Sequence, residues 1–285
     1  GGNLTMISGA TRLAGVTGWP IAHSRSPRLH NYWLRDYGID GAYLPLAIRP
    51  EDFEQAIRAL PKLGFAGCNV TMPHKEAALR VVDRVDPVAK RIGAVNTIVV
   101  AEDGGLDGSN TDAFGFIQAL TEGAPDLDLT EGPAILLGAG GAAKAIAVAL
   151  LDAGVPELII LNRTEVRARD LAASLEDGRI VVRKWDARTG SLAEANFVIN
   201  STTQGMQGQA PLDLALDDLA PEAVVMDAVY TPLLTSLLAG AKARGNHTVD
   251  GLGMLLHQAR PGFAAWFGRE PVVDQGLRDH ILADL

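Results

Sequence analysis

Cysteine is nearly missing from this sequence: Cys68 is the only one in 285 residues. A lone cysteine excludes an internal disulfide framework, and no Cys or His stands at zinc-ligand spacing from it, which fits a reducing compartment. Beside an apolar run it reads as a small buried side chain. Long hydrophobic runs are missing too. Stretches such as Ala134 to Leu137 and Leu158 to Leu161 break off within a few residues, far short of the ~20 needed to cross a bilayer, so no membrane segment is expected. The N-terminal residues hold no basic segment followed by an apolar stretch and a small-residue cleavage site, so no signal peptide is expected and the cytoplasm is the expected location. Positive charge is in deficit, with a formal net charge of −9. Phosphate-backbone binding needs a clustered basic surface, so no nucleic-acid partner is expected. An anionic small molecule would instead need isolated Lys or Arg, hydroxyls and helix N-termini. His23, His30, His74, His247, His257 and His280 show no HExxH or similar spacing, so no metal site is expected.

What is present is a globular balance, 47% hydrophobic against 21% charged residues. The length predicts two domains and a cleft between them. From Arg12 to Ser109, strand-like runs (Leu13 to Thr17, Tyr43 to Ile48, Gly64 to Val70, Ala94 to Val100) alternate with helical ones (Pro27 to Tyr37, Pro50 to Leu60, a start near Pro73, Pro87 to Arg91), and Glu102 to Ser109 is turn-rich. The alternation predicts an α/β domain with a mainly parallel sheet. A helix is predicted from Asp112 to about Leu120, and Thr121 to Pro133, rich in Gly, Pro and Asp, reads as a linker. Alternation then resumes. Ala134 to Leu137, Leu158 to Leu161, Ile180 to Val182, Phe197 to Asn200 and Val224 to Asp227 read as buried strands, with helices at Ala142 to Asp152, Glu165 to Leu175 and Leu233 to Arg244. Residues 250–285 are helical in pattern with no strand.

Directly after AILL stands Gly138-Ala139-Gly140-Gly141-Ala142-Ala143, the G-x-G-x-x-A form of the dinucleotide fingerprint in its strand-to-helix context. Gly138 allows a tight turn, Gly140 lets backbone approach a pyrophosphate, and Ala143 lets the helix lie close to the sheet. At the end of the next strand an NAD site would carry Asp or Glu for the ribose hydroxyls. This chain has Asn162-Arg163-Thr164, with Arg167 one turn on. Arginines there would be unfavourable at a helix start without an anion and are suited to a 2′-phosphate, so the expected cofactor is NADP.

Gly18-Trp19-Pro20-Ile21-Ala22-His23-Ser24-Arg25-Ser26-Pro27, Asn69-Val70-Thr71-Met72-Pro73-His74-Lys75, Gly93-Ala94-Val95-Asn96-Thr97 and Asn110-Thr111-Asp112 resemble the substrate-site motifs of the shikimate dehydrogenase family, in order and spacing. Asn200-Ser201-Thr202-Thr203-Gln204-Gly205-Met206, Asp227-Ala228-Val229-Tyr230-Thr231-Pro232 and Gly251-Leu252-Gly253-Met254-Leu255-Leu256-His257-Gln258 resemble its cofactor-side and closing motifs. The resemblance covers about Gly15 to Trp266. It implies a substrate-binding catalytic domain over 1–111 and a Rossmann-type NADP domain over 112–249, with helices of 250–285 packing back on the first. It implies a monomeric or homodimeric enzyme interconverting 3-dehydroshikimate and shikimate on the route to aromatic amino acids. Lys75 and Asp112 would be the catalytic pair. Ser24 and Ser26 would hold the substrate carboxylate, and Thr71, Asn96, Tyr230 and Gln258 its other polar groups. The cofactor would be held by Gly138, Ala139, Gly140, Gly141, Ala142, Asn162, Arg163, Thr164, Arg167, Thr202, Gly251 and Met254. Read without the resemblance, Ser24 to Pro27 is helix capping, Lys75 a solvated side chain and Asp112 a helix cap. A quinate or dual quinate/shikimate dehydrogenase, or a catalytically silent NADPH-binding sensor, stands as the alternative. Arg260-Pro261 departs from the family pattern and predicts a kink in the closing helix.

Overall fold

A computed structural model describes residues 7–284; residues 1–6 and 285, where the sequence-based spans begin and end, lie outside the described residues. Two compact units emerge: one runs to Thr111 and adds Gln258–Asp284, the other is Asp112–His257.

In the first unit the chain runs β1 (Arg12–Gly18), α1 (Ser26–Asp36), β2 (Gly41–Ala47), α2 (Phe53–Ala59), β3 (Phe65–Val70), α3 (Lys75–Val81), β4 (Arg84–Val85), α4 (Pro87–Ile92), β5 (Thr97–Val100) and β6 (Leu106–Ser109). One six-stranded sheet has the order β2-β1-β3-β5-β6-β4. Its β1–β2, β1–β3 and β4–β6 pairings are parallel, while β5 is antiparallel to both β3 and β6. Short β6 lies in the segment read as turn-rich and β4 in one given no strand, because pairing of β6 to β5 and of β4 to β6, rather than side-chain alternation, defines them. Helix α1 opens with Ser26 and Pro27, where the missing proline N–H costs no intrahelical bond. It buries Leu29, His30, Trp33 and Leu34 along one side. Cys68 is fully buried in β3, and burial pushes its thiol up to about 12, so it is packing material rather than a nucleophile.

The second unit follows as α5 (Asp112–Gly123), β7 (Ala134–Leu137), α6 (Gly141–Asp152), β8 (Leu158–Leu161), α7 (Glu165–Leu175), β9 (Ile180–Arg183), α8 (Arg188–Ser191), β10 (Phe197–Asn200), β11 (Val224–Asp227), α9 (Ser236–Ala243), β12 (Thr248–Val249) and α10 (Leu252–Gln258). Its sheet is parallel throughout, in the order β12-β11-β10-β7-β8-β9. Strands β7, β8, β10 and β11 are buried at every position, as expected where helices cover both faces. Strand order reverses between β7 and β10, the switch point where such sheets bind ligands.

Thr121 to Pro133 is not a linker between units. Helix α5 continues to Gly123, and the loop after it joins α5 to β7 inside the second unit. The helix extends because Phe116, Ala119 and Leu120 are buried and Phe116 meets Phe197 at 6.2 Å. Loop-forming composition therefore marked a connection rather than a boundary.

The chain closes with α11 (Arg260–Phe267) and α12 (Gln275–Leu282). Helix α11 packs on the first sheet, where Trp266 Nε1 donates to Ile98 O at 3.0 Å. The irregularity predicted at Arg260-Pro261 is a break at Ala259, with Pro261 placed in the first turn of α11, where its ring is tolerated. Residues 250–257 group with the second unit rather than the first, because α10 lies against α5: a Cβ on Gly253 would be 3.0 Å from that of Ala119.

Candidate functional site

In the first unit the proposed substrate residues gather at the C-terminal ends of β1 and β3 and at the start of β5. Ser24 and Ser26 lead into α1, and the Ser26 N–H donates to Ser24 Oγ at 3.3 Å. Thr71 directly follows β3, anchored by its N–H to Thr17 O at 2.9 Å. Lys75 is the half-buried first residue of α3. The turn before it is held by His74, which is 1% exposed: its Nε2 lies 2.8 Å from Ile48 O, and its ring stacks on Phe53 with centroids 4.4 Å apart. His74 therefore fixes the backbone that presents Lys75.

Asn96, 3% exposed, ends a chain of buried hydrogen bonds. Tyr43 Oη donates to Asn69 Oδ1 at 2.6 Å, and Asn69 Nδ2 donates to Thr97 Oγ1 at 3.1 Å. Thr97 Oγ1 donates to Asn96 Oδ1 at 2.9 Å, which also accepts the Thr111 N–H at 2.9 Å. Burial keeps the Tyr43 hydroxyl protonated by pushing its pKa well above the ordinary range. A satisfied buried network of this kind rigidifies what it connects. Here it fixes Asn96 and the backbone leading to Asp112, the first residue of α5. His30 stacks on Tyr43 with centroids 4.0 Å apart, and burial lowers its pKa to about 3, so it is a neutral core group.

A cavity of about 530 Å³ opens beside Ser24, lined also by Arg28, Arg35 and His280, but includes none of Thr71, Lys75 and Asn96. Arg28 there bonds the His280 carbonyl through Nε at 3.0 Å and Nη2 at 2.7 Å, a helix-end contact to α12.

In the second unit the Gly-rich turn lies between β7 and α6. Gly138 has φ +113°, and a Cβ there would meet Ser201 Oγ at 2.5 Å. Only glycine suits that position, because the turn lies against Ser201 and Thr202 at the switch point. Around Gly140 and Gly141 a Cβ would meet nothing within 4 Å. Gly140 caps α6 without a side-chain hydrogen bond, so this 12-residue helix presents its first N–H groups beside open space, a ready anion site. Ala139 and Ala142 are half-buried, whereas Ala143 is fully buried under the helix.

At the end of β8, Asn162 Nδ2 donates to Thr164 O at 2.8 Å and shapes the turn into α7. Arg169 is paired with Glu165 through its Nε, 2.9 Å from Oε1. Arg163 and Arg167 are exposed and have no carboxylate partner among the described residues. Two unpaired guanidinium groups at a helix start, with no acidic residue at the end of β8, suit a phosphate monoester and oppose a bare ribose diol. The residues present therefore fit NADP.

Thr202 is held by Asn200 Oδ1, which accepts its N–H at 3.0 Å and its hydroxyl at 2.7 Å. Asn200 Nδ2 in turn donates to Asp227 Oδ1 at 3.0 Å. Asp227 also accepts from Val229 N–H at 3.0 Å and from Thr235 Oγ1 at 2.7 Å, and so holds both sides of the loop that carries the half-buried Tyr230. Gly251 is required by packing: a Cβ would lie 2.5 Å from Ala228 O. Met254 is half-buried on α10, and Gln258 ends that helix. Sequence reasoning assigned no role to Tyr43, Asn69, His74, Asn200 or Asp227. For Asn69, His74, Asn200 and Asp227 the signal is a polar residue at the end of an apolar strand or beside a catalytic motif; Tyr43, inside β2, carries no such mark.

Asp227 is fully buried, with no cationic partner among the described residues, and burial raises its pKa from 3.8 to about 6. The folded state thus keeps a proton that the unfolded chain has lost, so this group makes stability fall as pH rises from about 4 to about 6. Asp227→Asn keeps two acceptor contacts at its amide oxygen and can donate to Thr235. Relative to wild type, the variant is expected to gain about 2 kcal/mol between pH 4 and pH 7. Urea unfolding at both pH values measures this; a difference that does not change with pH rules it out.

Comparison with known proteins gives a consistent result. The family described as shikimate dehydrogenase substrate binding domain matches residues 16–98, and that described as shikimate / quinate 5-dehydrogenase matches residues 121–207. The chain is 58% identical over 277 residues to the shikimate dehydrogenase (NADP(+)) of Paramagnetospirillum magneticum, covering 97% of this chain and 100% of that one. It is 56% identical to the enzyme of the same name from Rhodospirillum rubrum, covering 97% and 99%. Among solved structures it is similar to the Thermus thermophilus shikimate 5-dehydrogenase in complex with NADP(H) and shikimate, at 37% identity and TM-score 0.84, covering 96% and 100%. It is also similar to a Corynebacterium glutamicum quinate dehydrogenase in complex with NAD, at 32% identity and TM-score 0.89, covering 96% and 99%.

Proposed function

The chain belongs to the shikimate dehydrogenase family, and on that premise we propose how its residues divide the work of an NADP-dependent oxidoreductase. The reaction is reversible hydride transfer between 3-dehydroshikimate with NADPH and shikimate with NADP+. When bound, NADPH supplies the hydride that adds to the ketone carbon. Gly138, Ala139, Gly140, Gly141 and Ala142 receive the pyrophosphate at the N-terminus of α6, and Arg163 and Arg167 take the 2′-phosphate. Asn162, Thr164, Thr202, Gly251 and Met254 complete the cofactor site.

Ser24 and Ser26 bind the substrate carboxylate, while Thr71, Asn96, Tyr230 and Gln258 bind its remaining polar groups. Lys75 donates a proton to the ketone oxygen as negative charge builds there, and in the oxidation direction it accepts the alcohol proton. Asp112 orients the Lys75 ammonium. The observation that carries the NADP-linked reading is an open Gly-rich helix start together with two arginines that no carboxylate among the described residues takes up. The enzyme is proposed to act in the cytoplasm, as a monomer or homodimer, on the route to aromatic amino acids. The Corynebacterium likeness raises quinate oxidation as a second reading, against which the unpaired Arg163 and Arg167 weigh, since NAD carries no 2′-phosphate.

Ser24→Ala and Ser26→Ala test the carboxylate assignment. Each is expected to weaken shikimate binding by about 1 to 3 kcal/mol, the range for a lost bond to a charged group. The Michaelis constant for NADP should stay near wild type. If neither variant changes the shikimate Michaelis constant, the carboxylate is bound elsewhere.

A further inference from the structure

The closing segment of the second unit is fastened to the last turn of α5 by contacts that the proposed chemistry does not use. His247 Nε2 hydrogen-bonds the Gly123 carbonyl. The Val249 side chain lies so close to Gly123 that a Cβ there would be 2.8 Å away. Gly253 approaches Ala119, and one turn later His257 Nε2 stands 2.5 Å from Glu122 Oε2. The His257 side chain is only 8% exposed, whereas that of Glu122 is 60% exposed. An exposed carboxylate therefore reaches inward to hold a buried imidazole on α10. The residue after His257 is Gln258, the last of α10, and the chain breaks helix at Ala259 immediately beyond. Gly253 packs at the start of α10, and the Glu122–His257 contact bears on its final turn.

We infer that Glu122 and His257 are positioning residues for substrate binding: the pair sets the rotation of the last turn of α10 and so aims Gln258 at the substrate. This rests on the assignment of Gln258 to shikimate above. Without the carboxylate, the buried imidazole loses this contact, and the terminal turn, followed by a helix break, is held less firmly in register. Met254 lies a turn earlier, where the Gly253–Ala119 approach persists, so cofactor binding should not follow.

The test compares Glu122→Ala, Glu122→Gln and Gln258→Ala in the full-length enzyme. Glu122→Ala is expected to raise the Michaelis constant for shikimate about 5- to 10-fold, the equivalent of one lost hydrogen bond. Turnover number, the Michaelis constant for NADP and the unfolding midpoint should stay close to wild type. Glu122→Gln, whose amide oxygen still accepts from Nε2–H, should restore substrate binding. An unchanged shikimate constant in Glu122→Ala, with a raised one in Gln258→Ala, overturns the positioning role and leaves the Gln258 assignment standing. An unchanged constant in Gln258→Ala overturns that assignment, and the inference with it. Equal increases for shikimate and NADP in Glu122→Ala would mean that the pair merely holds α10 in place and would overturn its specific role.

Discussion

Lys75→Ala is expected to lower the turnover number about 10²- to 10⁴-fold, the usual range for lost acid/base assistance. Hydride addition to a ketone leaves charge on oxygen, and an ammonium with three N–H groups can bond that oxygen and Asp112 together. Alanine supplies neither proton nor charge. Lys75→Arg should fail as well, since guanidinium retains its proton and has a different shape. Folding should survive, because Lys75 is the half-buried first residue of α3, and His74, not Lys75, anchors the turn through Ile48 and Phe53. The Michaelis constant for NADP should change little, because the cofactor residues belong to the other unit. Turnover at saturating shikimate, measured on variant protein shown to be folded, checks this. A loss smaller than tenfold would mean that another group handles the proton.

Arg163→Ala is expected to raise the Michaelis constant for NADP about 10- to 100-fold, the equivalent of one charge-assisted hydrogen bond at about 1.5 to 3 kcal/mol. The constant for NAD should barely move, because only NADP carries the 2′-phosphate. Arg167→Ala should add to the effect, since its guanidinium has no carboxylate partner among the described residues. Arg169→Ala, which removes the pair with Glu165, should leave the preference for NADP intact and serves as the control. Parallel changes for NADP and NAD in Arg163→Ala would make Arg163 structural.

The second unit was the more legible in sequence. Four-residue runs of Ala, Ile and Leu recur where β7 and β8 form, because a parallel strand covered on both faces must be apolar at every position. The Gly-rich turn was legible because a positive φ, a close approach and an open helix start all demand small residues at once. Harder to read were β4, β6 and β12, at two to four residues, since pairing with distant strands creates them. The start of α9 was misplaced at Leu233; Thr235 caps it by accepting from Leu238 N–H at 3.3 Å.

Site legibility divides along similar lines. Charged and hydroxyl residues in the motifs stood out, whereas the groups that hold them did not. Asn69 and Asp227 act through partners 26 to 28 residues away for Asn69 and 27 residues away for Asp227 at Asn200. No local pattern encodes such pairings. The kink expected from Pro261 became a clean helix start because only tertiary packing decides on which side of a proline the break falls.

The measurement closest to the central claim is an initial-rate comparison on the unmodified enzyme, with shikimate and quinate each tested against NADP and NAD. Shikimate with NADP should give the highest kcat/KM of the four, and the absence of a carboxylate at the end of β8 should make NAD the poorer cofactor with either substrate. Equal or higher kcat/KM for quinate with NAD would contradict the account, and no turnover with any pair would leave a cofactor-binding protein that is not this enzyme.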